Sequence, residues 1–319
     1  MANEFRKKIN HLGSLKKKFV FVVDFECKEH IIETLPVEKL LFEMDDFSNY
    51  KNPVLRKKDF SLKPVYIPFA KYKNSFDKII KEIKEGNTYL LNLTFQTKLN
   101  NDLNLKDIFY ASQSRFKLYL EDKFVCFSPE RFIKIQGNKI ETHPMKGTID
   151  AKKENAEERL LKDEKERAEH LMVVDLLRND ISMVASKVRV KKYRYVEKIK
   201  AGKRELLQVS SKITGKMEFG WQSRIGDILA TLLPAGSITG TPKKMTTQII
   251  KDTEDYERGF YTGVFGYFDG ENLDSAVLIR YIEKCKDGFV YKSGGGVTLL
   301  SDAKKEYKEM CEKIYIPMS

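Results

Sequence analysis

The sequence predicts an α+β fold in which antiparallel strands are interspersed with helices. Four segments, FKLYL, FVCF, RFIKI and KIETH, follow one another from Phe116 and are separated by turns at Glu121-Asp122 and Gly137-Asn138. This pattern predicts an antiparallel meander. The last third of the chain again combines helix and strand patterns, with a helix followed by three further strand segments. A doubly wound parallel sheet would instead alternate strands and helices regularly, so the order favours the α+β class.

The elements before the meander are predicted from hydrophobic periodicity. Phe76, Ile79, Ile80 and Ile83 recur at helical spacing and predict an amphipathic helix ended by Gly86. The other elements predicted here are a strand at 19–25, a short helix over Pro36–Phe47, a polar connection through Asn52–Lys58, extended chain at 62–70, a strand at 88–99 and a helix around Leu105–Ser112.

The segment Asp163–Asp180, DEKERAEHLMVVDLLRND, predicts a buried central helix. Leu171–Leu177 is apolar at every position except Asp175, so the middle of this helix is not expected to be solvated. The elements predicted after it are a basic strand region, a strand near Leu206–Ile213, helices over Ile225–Leu233 and from Pro242, strands within 260–268, 273–284 and 289–294, and a final helix from about Ala303.

Length and composition favour one compact domain spanning residues 1–319, which we divide into a short N-terminal portion (1–75) and a core (76–315). No linker of low complexity divides the 319 residues. The four cysteines form no CxxC pair or Cys/His cluster, so neither a disulfide framework nor a zinc site is predicted. The N-terminus has no signal-peptide core and no run reaches membrane-spanning length. A cytoplasmic protein with no membrane association is therefore expected.

The net charge of +12 raises the question of nucleic-acid binding. Basic residues cluster in Lys187–Arg204 and near Lys16–Lys18, but neither cluster is an established binding motif. In the first cluster they alternate with Val and Tyr, as on a solvated strand face. We therefore expect no nucleic-acid partner, although a basic surface would attract a small anionic substrate.

Two pairs of glutamates indicate a metal site. Glu166 and Glu169 are three residues apart in the central helix, and Glu306 and Glu309 repeat the spacing near the C-terminus. Each pair lies on one helical face, where two anions repel unless they share a cation. Carboxylate oxygens suit a hard divalent ion, and Mg²⁺ is the natural candidate. Either pair alone is more often an exposed helix face.

Three loops provide further candidates. LPAGSITGTPKK (233–244) has hydroxyls and glycines before a predicted helix and suits an anion, although Thr241 as a simple N-cap is the favoured reading. SGGGV (293–297) would expose backbone amides to a carboxylate, or would form a glycine-rich bulge or turn. HPMKGT (143–148) holds Lys146, which is either a surface lysine or a nucleophile. A lysine nucleophile must be neutral, and lowering its pKa toward ambient pH costs about 1.4 kcal/mol per pKa unit.

Together these stretches resemble the chorismate-utilising enzyme family. SPERF, PMKGT, the central helix, PAGSITGTPK, RGFYTGVFGYF, AVLIRY and SGGGVTLLSDAKKEYKE are similar to family signatures in the family's order, and the resemblance covers about Ile79 to Lys313. It implies two stacked, mainly antiparallel sheets flanked by helices, which bind chorismate and Mg²⁺ in a cleft.

The resemblance also implies roles for individual residues. Glu169 and Glu309 resemble direct magnesium ligands, supported by Glu166 and Glu306. Lys146 resembles a nucleophile that attacks the ring at C2, and Glu130 resembles a general acid or base. The residues that resemble substrate-binding positions are Gly147, Thr148, Gln208, Thr239, Tyr261, Arg280, Gly294, Gly295, Gly296 and Lys313.

The predicted reaction is amination of chorismate with ammonia from a separate glutamine amidotransferase subunit. Family members that make anthranilate commonly have alanine at the position of Lys146, which favours amination at C4 here. Formation of anthranilate, and then of isochorismate or salicylate, are the alternatives within the family. Gln208 stands where the family usually has a histidine, so any histidine-assisted step is in doubt. The short N-terminal region lacks a counterpart of the segment that binds regulatory tryptophan.

Overall fold

The computed structural model describes residues 2–45, 47–51, 60–201 and 204–318. These residues form two compact units, each assembled from three stretches of chain. The first unit comprises Met1–Val37, Glu130–Ser237 and Thr262–Val277, and the second unit comprises Glu38–Pro129, Ile238–Tyr261 and Leu278–Ser319.

The secondary structure is mixed along the whole chain. The strands are β1 (Phe19–Val23), β2 (His30–Thr34), β3 (Leu40–Met44), β4 (Phe47–Ser48), β5 (Pro64–Val65), β6 (Leu90–Leu99), β7 (Phe116–Leu120), β8 (Phe124–Ser128), β9 (Arg131–Gln136), β10 (Lys139–Thr142), β11 (Met145–Asp150), β12 (Ser186–Ala201), β13 (Arg204–Lys216), β14 (Gly240–Thr241), β15 (Val264–Phe268), β16 (Leu273–Val277), β17 (Tyr281–Cys285) and β18 (Gly288–Val297). The helices are α1 (Ala2–Ser14), α2 (Phe69–Lys84), α3 (Leu105–Ala111), α4 (Ala156–Lys162), α5 (Glu164–Ser182), α6 (Ile225–Leu232), α7 (Gly236–Thr239), α8 (Lys243–Thr253) and α9 (Ala303–Glu312), with a 3₁₀ turn at Trp221–Arg224.

Each unit is built on one antiparallel sheet. In the first unit the strand order is β11-β13-β10-β9-β16-β15-β1-β2, with β12 paired to β13. In the second unit it is β14-β6-β18-β17-β8-β7-β3-β4, with β5 paired to β6. Helix α5 packs on β11, β12 and β13, and helix α9 packs on β18 and α2. The predicted class, two mainly antiparallel sheets flanked by helices, is therefore confirmed.

The predicted meander is divided between the two sheets. The hairpins β7–β8 and β9–β10 form as expected, but β8 pairs with β17 whereas β9 pairs with β16. Pro129, which has no amide hydrogen to donate to a ladder, separates them. The segment 273–284, predicted as one strand, is likewise two strands in different sheets, and Arg280 between them adopts a φ of 55°.

The predicted helix over Pro36–Phe47 is wrong. Residues 40–44 form β3, in which Leu40, Phe42 and Met44 are buried and the residues between them are half-buried. This period of two is the strand pattern, and it outweighs the helical spacing that the longer window suggested. The predicted connection through Asn52–Lys58 lies outside the described residues.

Helix α1 and strand β2 were not predicted. In α1, Phe5, Ile9 and Leu12 are buried at helical spacing, and the many lysines around them obscured this pattern. Of the helices within the described ranges, none is long and apolar enough to cross a membrane.

Helix α5 is buried on one side only, which corrects the prediction for its middle. Val173, Val174 and Leu177 are buried, whereas Leu171 is 57% exposed and Asp175 is also exposed. The apolar run therefore contains both a core face and a face that no other described part of the chain covers.

The basic strand region forms β12, at the edge of the first unit's sheet, where its partner is β13. Among the residues of this strand whose burial is described, the exposed basic side chains are Lys187, Arg189, Lys191, Lys192 and Lys198. Their exposure agrees with the predicted solvated strand face.

Candidate active site

Lys146 and Glu169 meet in the first unit. Lys146 lies on β11, and its Nζ is 3.6 Å from Oε2 of Glu169 on α5. The Lys146 side chain is 19% exposed and the Glu169 side chain 5% exposed, so this ion pair is largely shielded from water. Lys165, one helical turn before Glu169, places its Nζ 3.4 Å from Oε1 of the same carboxylate.

The backbone beside Lys146 is irregular. The pairing of β11 with β13 shifts register between Met145 and Thr148, and Gly147 adopts a φ of +83°. A Cβ at Gly147 would lie 3.1 Å from Leu160 Cδ1 and 3.4 Å from Glu166 Oε2, so glycine suits both the conformation and the space. Such bulges often occur next to active sites, where they redirect a side chain.

Thr148 and Gln208 are cross-strand neighbours in the same ladder. Thr148 is exposed and Gln208 half-buried. The structure thus groups Lys146, Gly147 and Glu166 near Glu169, and extends this group along β11 and β13 to Thr148 and Gln208.

A buried histidine on α5 is linked by hydrogen bonds to the chain beside this group. His170 Nε2 is 2.6 Å from Ser211 Oγ, and the Ser211 amide donates to the Pro144 carbonyl at 2.9 Å. Burial, followed by the charges of Arg194 and Lys146, lowers the pKa of His170 to about 4, so its ring is neutral near pH 7. Helix α5 is thereby connected to the chain two residues before Lys146.

Glu130 also belongs to the first unit. It is half-buried immediately before β9, and its backbone carbonyl accepts a hydrogen bond of 3.1 Å from the Val277 amide. Its predicted acid–base role remains a prediction.

The second unit contains the glycine group. Gly294, Gly295 and Gly296 are regular residues of β18 and pair with Thr94, Leu93 and Asn92 of β6, so the segment is neither a bulge nor a turn. The Gly294 carbonyl accepts from Lys313 Nζ at 2.8 Å. Because backbone groups alternate sides along a strand, Gly296 presents its amide to the same side as this carbonyl.

The second glutamate pair lies over Gly295. A Cβ at Gly295 would lie 3.5 Å from Lys313 Nζ, 3.6 Å from Glu309 Oε1 and 3.8 Å from Glu306 Oε2. Glu306 is 2% exposed, and Glu309 forms a 2.7 Å ion pair with Lys313. The missing side chain at Gly295 therefore leaves a space that two carboxylates and one ammonium group border.

Aromatic side chains surround Arg280. Its guanidinium lies 5.5 Å from the ring centroid of Tyr315. Burial opposes its charge, but the Tyr315, Tyr291 and Tyr261 hydroxyls raise the Arg280 pKa overall. Burial raises the pKa of Tyr261, whose ring is 5.8 Å from that of Tyr281. Tyr261 therefore remains neutral beside a fixed cation, which suits a carboxylate ligand.

The LPAGSITGTPKK segment differs from the prediction of a Thr241 N-cap. Thr241 belongs to β14, and Pro242 occupies the N-cap of α8. The Thr241 carbonyl accepts from the Tyr89 amide at 2.9 Å. Thr239 is fully buried at the end of α7.

The chemistry of the two glutamate pairs fits a hard cation. Oε1 of Glu169 is buried and accepts no hydrogen bond, although the Lys165 ammonium lies 3.4 Å from it, and Glu306 and Glu309 both turn toward Gly295. Carboxylate oxygens are the ligands that Mg²⁺ prefers. Among the described residues, no group of three or more His, Cys, Asp or Glu side chains is arranged to hold a metal ion. The Mg²⁺ assignment therefore stays a prediction.

Sequence reasoning missed two members of the first unit's group. Lys165 contacts Glu169 at a spacing of four residues, which is a recognisable helical signal. The His170–Ser211 hydrogen bond joins residues 41 positions apart, and no sequence pattern indicated it.

Comparison with known proteins gives one family. A profile described as "chorismate binding enzyme" matches residues 6–319. The match begins well before Ile79, where the recognisable motifs start. It therefore includes most of the N-terminal portion.

Relatives of similar sequence include a full-length match. A protein of Haemophilus influenzae described as an uncharacterized PabA-like protein is 46% identical over 318 residues, covering 98% of this chain and 96% of that protein. Aminodeoxychorismate synthase component 1 of Bacillus subtilis is 32% identical over 265 residues, covering 78% and 55%. Anthranilate synthase component 1 of Aquifex aeolicus is 34% identical over 262 residues, covering 76% and 51%. The chain thus spans about half the length of these two component 1 proteins.

Solved structures agree in fold. Anthranilate synthase component I of Streptococcus pneumoniae matches with a TM-score of 0.66 and 28% identity, covering 80% of this chain and 58% of that chain. The menaquinone-specific isochorismate synthase of Escherichia coli matches with a TM-score of 0.74 and 17% identity, covering 98% and 80%. The second likeness concerns the fold alone.

Proposed function

The chain belongs to the chorismate-binding enzyme family, and we propose that within this family it aminates chorismate to 4-amino-4-deoxychorismate, acting as component 1 of an aminodeoxychorismate synthase. The observation that carries the proposal is the position of Lys146. Its amine reaches the group that contains Gly147, Glu166 and Glu169, and it is shielded from water. A shielded primary amine suits covalent catalysis.

In this proposal Lys146 and Glu130 carry out the chemistry. The Lys146 amine adds to ring carbon C2, both ring double bonds shift by one position, and the C4 hydroxyl leaves as water after Glu130 has protonated it. Ammonia then adds at C4, both double bonds shift back, and the Lys146 amine leaves C2. Chorismate and ammonia thus give the aminated product and water, with no oxidant or reductant.

The remaining predicted residues bind the substrate. Arg280 and Tyr261 suit the enolpyruvyl carboxylate, together with Gly295, the amide of Gly296 and the side chain of Lys313. Gly147, Thr148, Gln208, Thr239 and Gly294 are the other proposed substrate-binding residues. Mg²⁺, held by Glu166, Glu169, Glu306 and Glu309, would supply a positive charge for the ring carboxylate of chorismate.

Ammonia is proposed to come from a separate glutamine amidotransferase subunit. The Bacillus subtilis relative is named as component 1 of a synthase, which supports a second component. Free ammonium salt should replace this partner, whereas glutamine alone should not support turnover by the chain.

Anthranilate synthesis is the second candidate. The Aquifex aeolicus anthranilate synthase is as similar to this chain as the aminodeoxychorismate synthase is, so overall identity does not separate the two. Lys146 separates them, because anthranilate formation requires amination at C2, the carbon that the lysine would occupy.

Product analysis tests the proposal directly. The purified chain would be incubated with chorismate, Mg²⁺ and ammonium salt, and the product identified by mass and ultraviolet spectrum. We expect 4-amino-4-deoxychorismate, which retains the enolpyruvyl group. Anthranilate, which has lost that group as pyruvate, would establish the second candidate, and a nitrogen-free isomer of chorismate would exclude both.

A further inference from the structure

Two leucines occupy the tip of an exposed turn in the second unit. Leu299 is 59% exposed and Leu300 63% exposed. The Ser301 amide donates to the Thr298 carbonyl at 3.1 Å, and the Thr298 amide donates to Ser301 Oγ at 3.2 Å. Two hydrogen bonds between Thr298 and Ser301 therefore close the turn, and both leucines between them are exposed.

Folding gives no reason for leucine at these positions. Turn tips favour Gly, Asn, Asp, Ser and Pro, which satisfy turn geometry and solvation. Two large apolar side chains that stay exposed do not gain the favourable free energy of burial, whereas a polar residue at the same position has no such gain to miss. Adjacent exposed apolar residues of this kind indicate a surface that another molecule covers.

Two further apolar side chains are exposed near the same end of the sheet. Val297 pairs with Leu91, and Gly240 pairs with Leu91 from the other side, so β18, β6 and β14 meet in one row. Tyr89, just before β6, is 56% exposed, and Met245, in the first turn of α8, is 48% exposed.

A hydrogen bond fixes the helix beside this row. Thr88 Oγ1 lies 2.8 Å from Thr246 Oγ1, which holds the first turn of α8 against the chain that precedes β6. We name Tyr89, Met245, Leu299 and Leu300 the apolar patch.

The helices that begin at this end carry positive charge. Helix α8 starts with Lys243 and Lys244, and helix α9 has Lys304 and Lys305 in its first turn. Asp302, between the turn and α9, accepts hydrogen bonds from the Lys304 and Lys305 amides. An apolar centre with lysines around it is complementary to a protein surface with an apolar centre and an acidic rim.

We infer that the apolar patch is the docking surface for the glutamine amidotransferase subunit, through an acidic-rimmed face of that subunit. This inference rests on the proposed function, because only an ammonia-using enzyme needs such a partner. The turn joins β18, which carries Gly294–Gly296, to α9, which carries Glu306 and Glu309. Ammonia released into water at neutral pH becomes mostly ammonium, which is not nucleophilic, so docking close to the substrate residues favours direct transfer.

The test compares binding and turnover in matched variants. The probe is the purified glutamine amidotransferase subunit from the same organism, and association and dissociation rates are measured with the immobilised full chain. Leu299→Asp/Leu300→Asp removes the apolar centre, and Lys244→Glu/Lys304→Glu reverses the rim. Phe219→Asp is the apolar control, because Phe219 is 87% exposed in the other unit. Lys187→Glu/Lys191→Glu on β12 is the charge control.

We expect the leucine variant to bind at least about tenfold more weakly, mainly through faster dissociation. The rim variant should associate more slowly and depend less on salt. Both should keep the thermal stability and ammonium-dependent turnover of the wild type but lose glutamine-dependent turnover, while both controls behave as wild type.

Unchanged binding by the leucine variant, or equal weakening by Phe219→Asp, would overturn the inference. So would sedimentation showing that the wild-type chain dimerises and the leucine variant does not, because the patch would then bind a second copy. Failure of the proposed function is distinguishable, since it appears as absent ammonium-dependent product from the wild-type chain while the binding comparison still gives a result.

Discussion

Lys146 illustrates how position, rather than residue type, gives a side chain its role. Lysines are numerous in this chain, and most of those that the structure describes are exposed. Lys146 differs because the bulge at Gly147 and the ion pair with Glu169 hold its amine in a shielded group of polar residues. The sequence motif PMKGT indicated the residue, and the register shift supplies the physical reason for its orientation.

The first prediction concerns the chemistry of this amine. Lys146→Arg keeps a positive charge but removes the nucleophile, because a guanidinium stays protonated near pH 7. We expect Lys146→Arg and Lys146→Ala to lose turnover to a similar extent, on the order of a hundredfold or more. Steady-state rates with ammonium salt measure this.

Intact-protein mass spectrometry after quenching without ammonia gives an independent readout. An adduct should form on the wild type and not on Lys146→Ala. Substantial activity in Lys146→Arg would show instead that the lysine acts only as a charge.

The second prediction separates two adjacent glycines that sequence reasoning treated alike. A Cβ at Gly294 would lie 2.2 Å from the Leu93 carbonyl oxygen, whereas a Cβ at Gly295 meets nothing closer than Lys313 Nζ at 3.5 Å. Gly294→Ala should therefore destabilise the fold by about 1–3 kcal/mol through strain between β6 and β18. Gly295→Ala should keep the fold and raise KM for chorismate. Thermal unfolding and steady-state kinetics distinguish the two, and equal loss of stability in both would contradict the assignment.

At the scale of elements, a buried ion pair joins α8 to β6. Arg258 donates to both oxygens of Glu254 at 2.8 and 2.7 Å, and the Thr94 amide and hydroxyl donate to the same carboxylate at 2.8 Å. Neither ionic side chain is more than 2% exposed. The carboxylate thus satisfies groups from both elements, and its loss would leave a buried cation uncompensated.

The third prediction follows from this burial. Glu254→Ala should lower the free energy of unfolding by ~3–5 kcal/mol. The control is Asp175→Ala, which breaks the exposed 2.7 Å pair with Arg178 and should cost less than about 1 kcal/mol. Urea denaturation measures both, and similar losses would argue against a special role for burial.

The fourth prediction concerns β10. Hydrogen bonds from His143, and then from Lys139 and Lys212, lower the pKa of Glu141 despite its burial. A carboxyl whose folded pKa lies below the unfolded value of ~4.3 stabilises the fold above that value, and this stability is lost as pH falls through the folded pKa. Glu141→Gln should therefore be less stable than wild type near pH 7.

The difference should shrink once the pH falls below about 4. Denaturation at several pH values tests this, with Glu218→Gln as the exposed control. A difference that persisted at low pH would show that Glu141 acts through packing.

Elements were predictable where periodicity is strong and local. Helix α2, strand β6 and the two hairpins β7–β8 and β9–β10 follow directly from spacing. The division of these hairpins between two sheets was not predictable, because pairing of β8 with β17 and of β9 with β16 depends on contacts between residues far apart in sequence. The helix predicted at 36–47 is wrong because the longer window suggested helical spacing. The buried residues of the five-residue strand within it instead alternate with a period of two.

At the scale of the whole molecule, the order of motifs carried more information than any single motif. The family and the two antiparallel sheets were predictable from that order. The exposure of Leu171, Leu299 and Leu300 was not, because each residue was considered only as part of a longer motif. Their exposure depends on which neighbours cover them, and sequence periodicity does not specify this.

The last prediction concerns the four glutamates, which the fold distributes over both units. Glu169 has an oxygen without a hydrogen bond in the first unit, and Glu306 and Glu309 border the space above Gly295 in the second unit. If these carboxylates hold Mg²⁺, Glu169→Ala and Glu309→Ala should each abolish Mg²⁺-dependent turnover at limiting metal. Both should also weaken Mg²⁺ binding measured by calorimetry, and Glu158→Ala, on exposed α4, should change neither property. Wild-type turnover in both variants at limiting Mg²⁺ would refute the metal assignment.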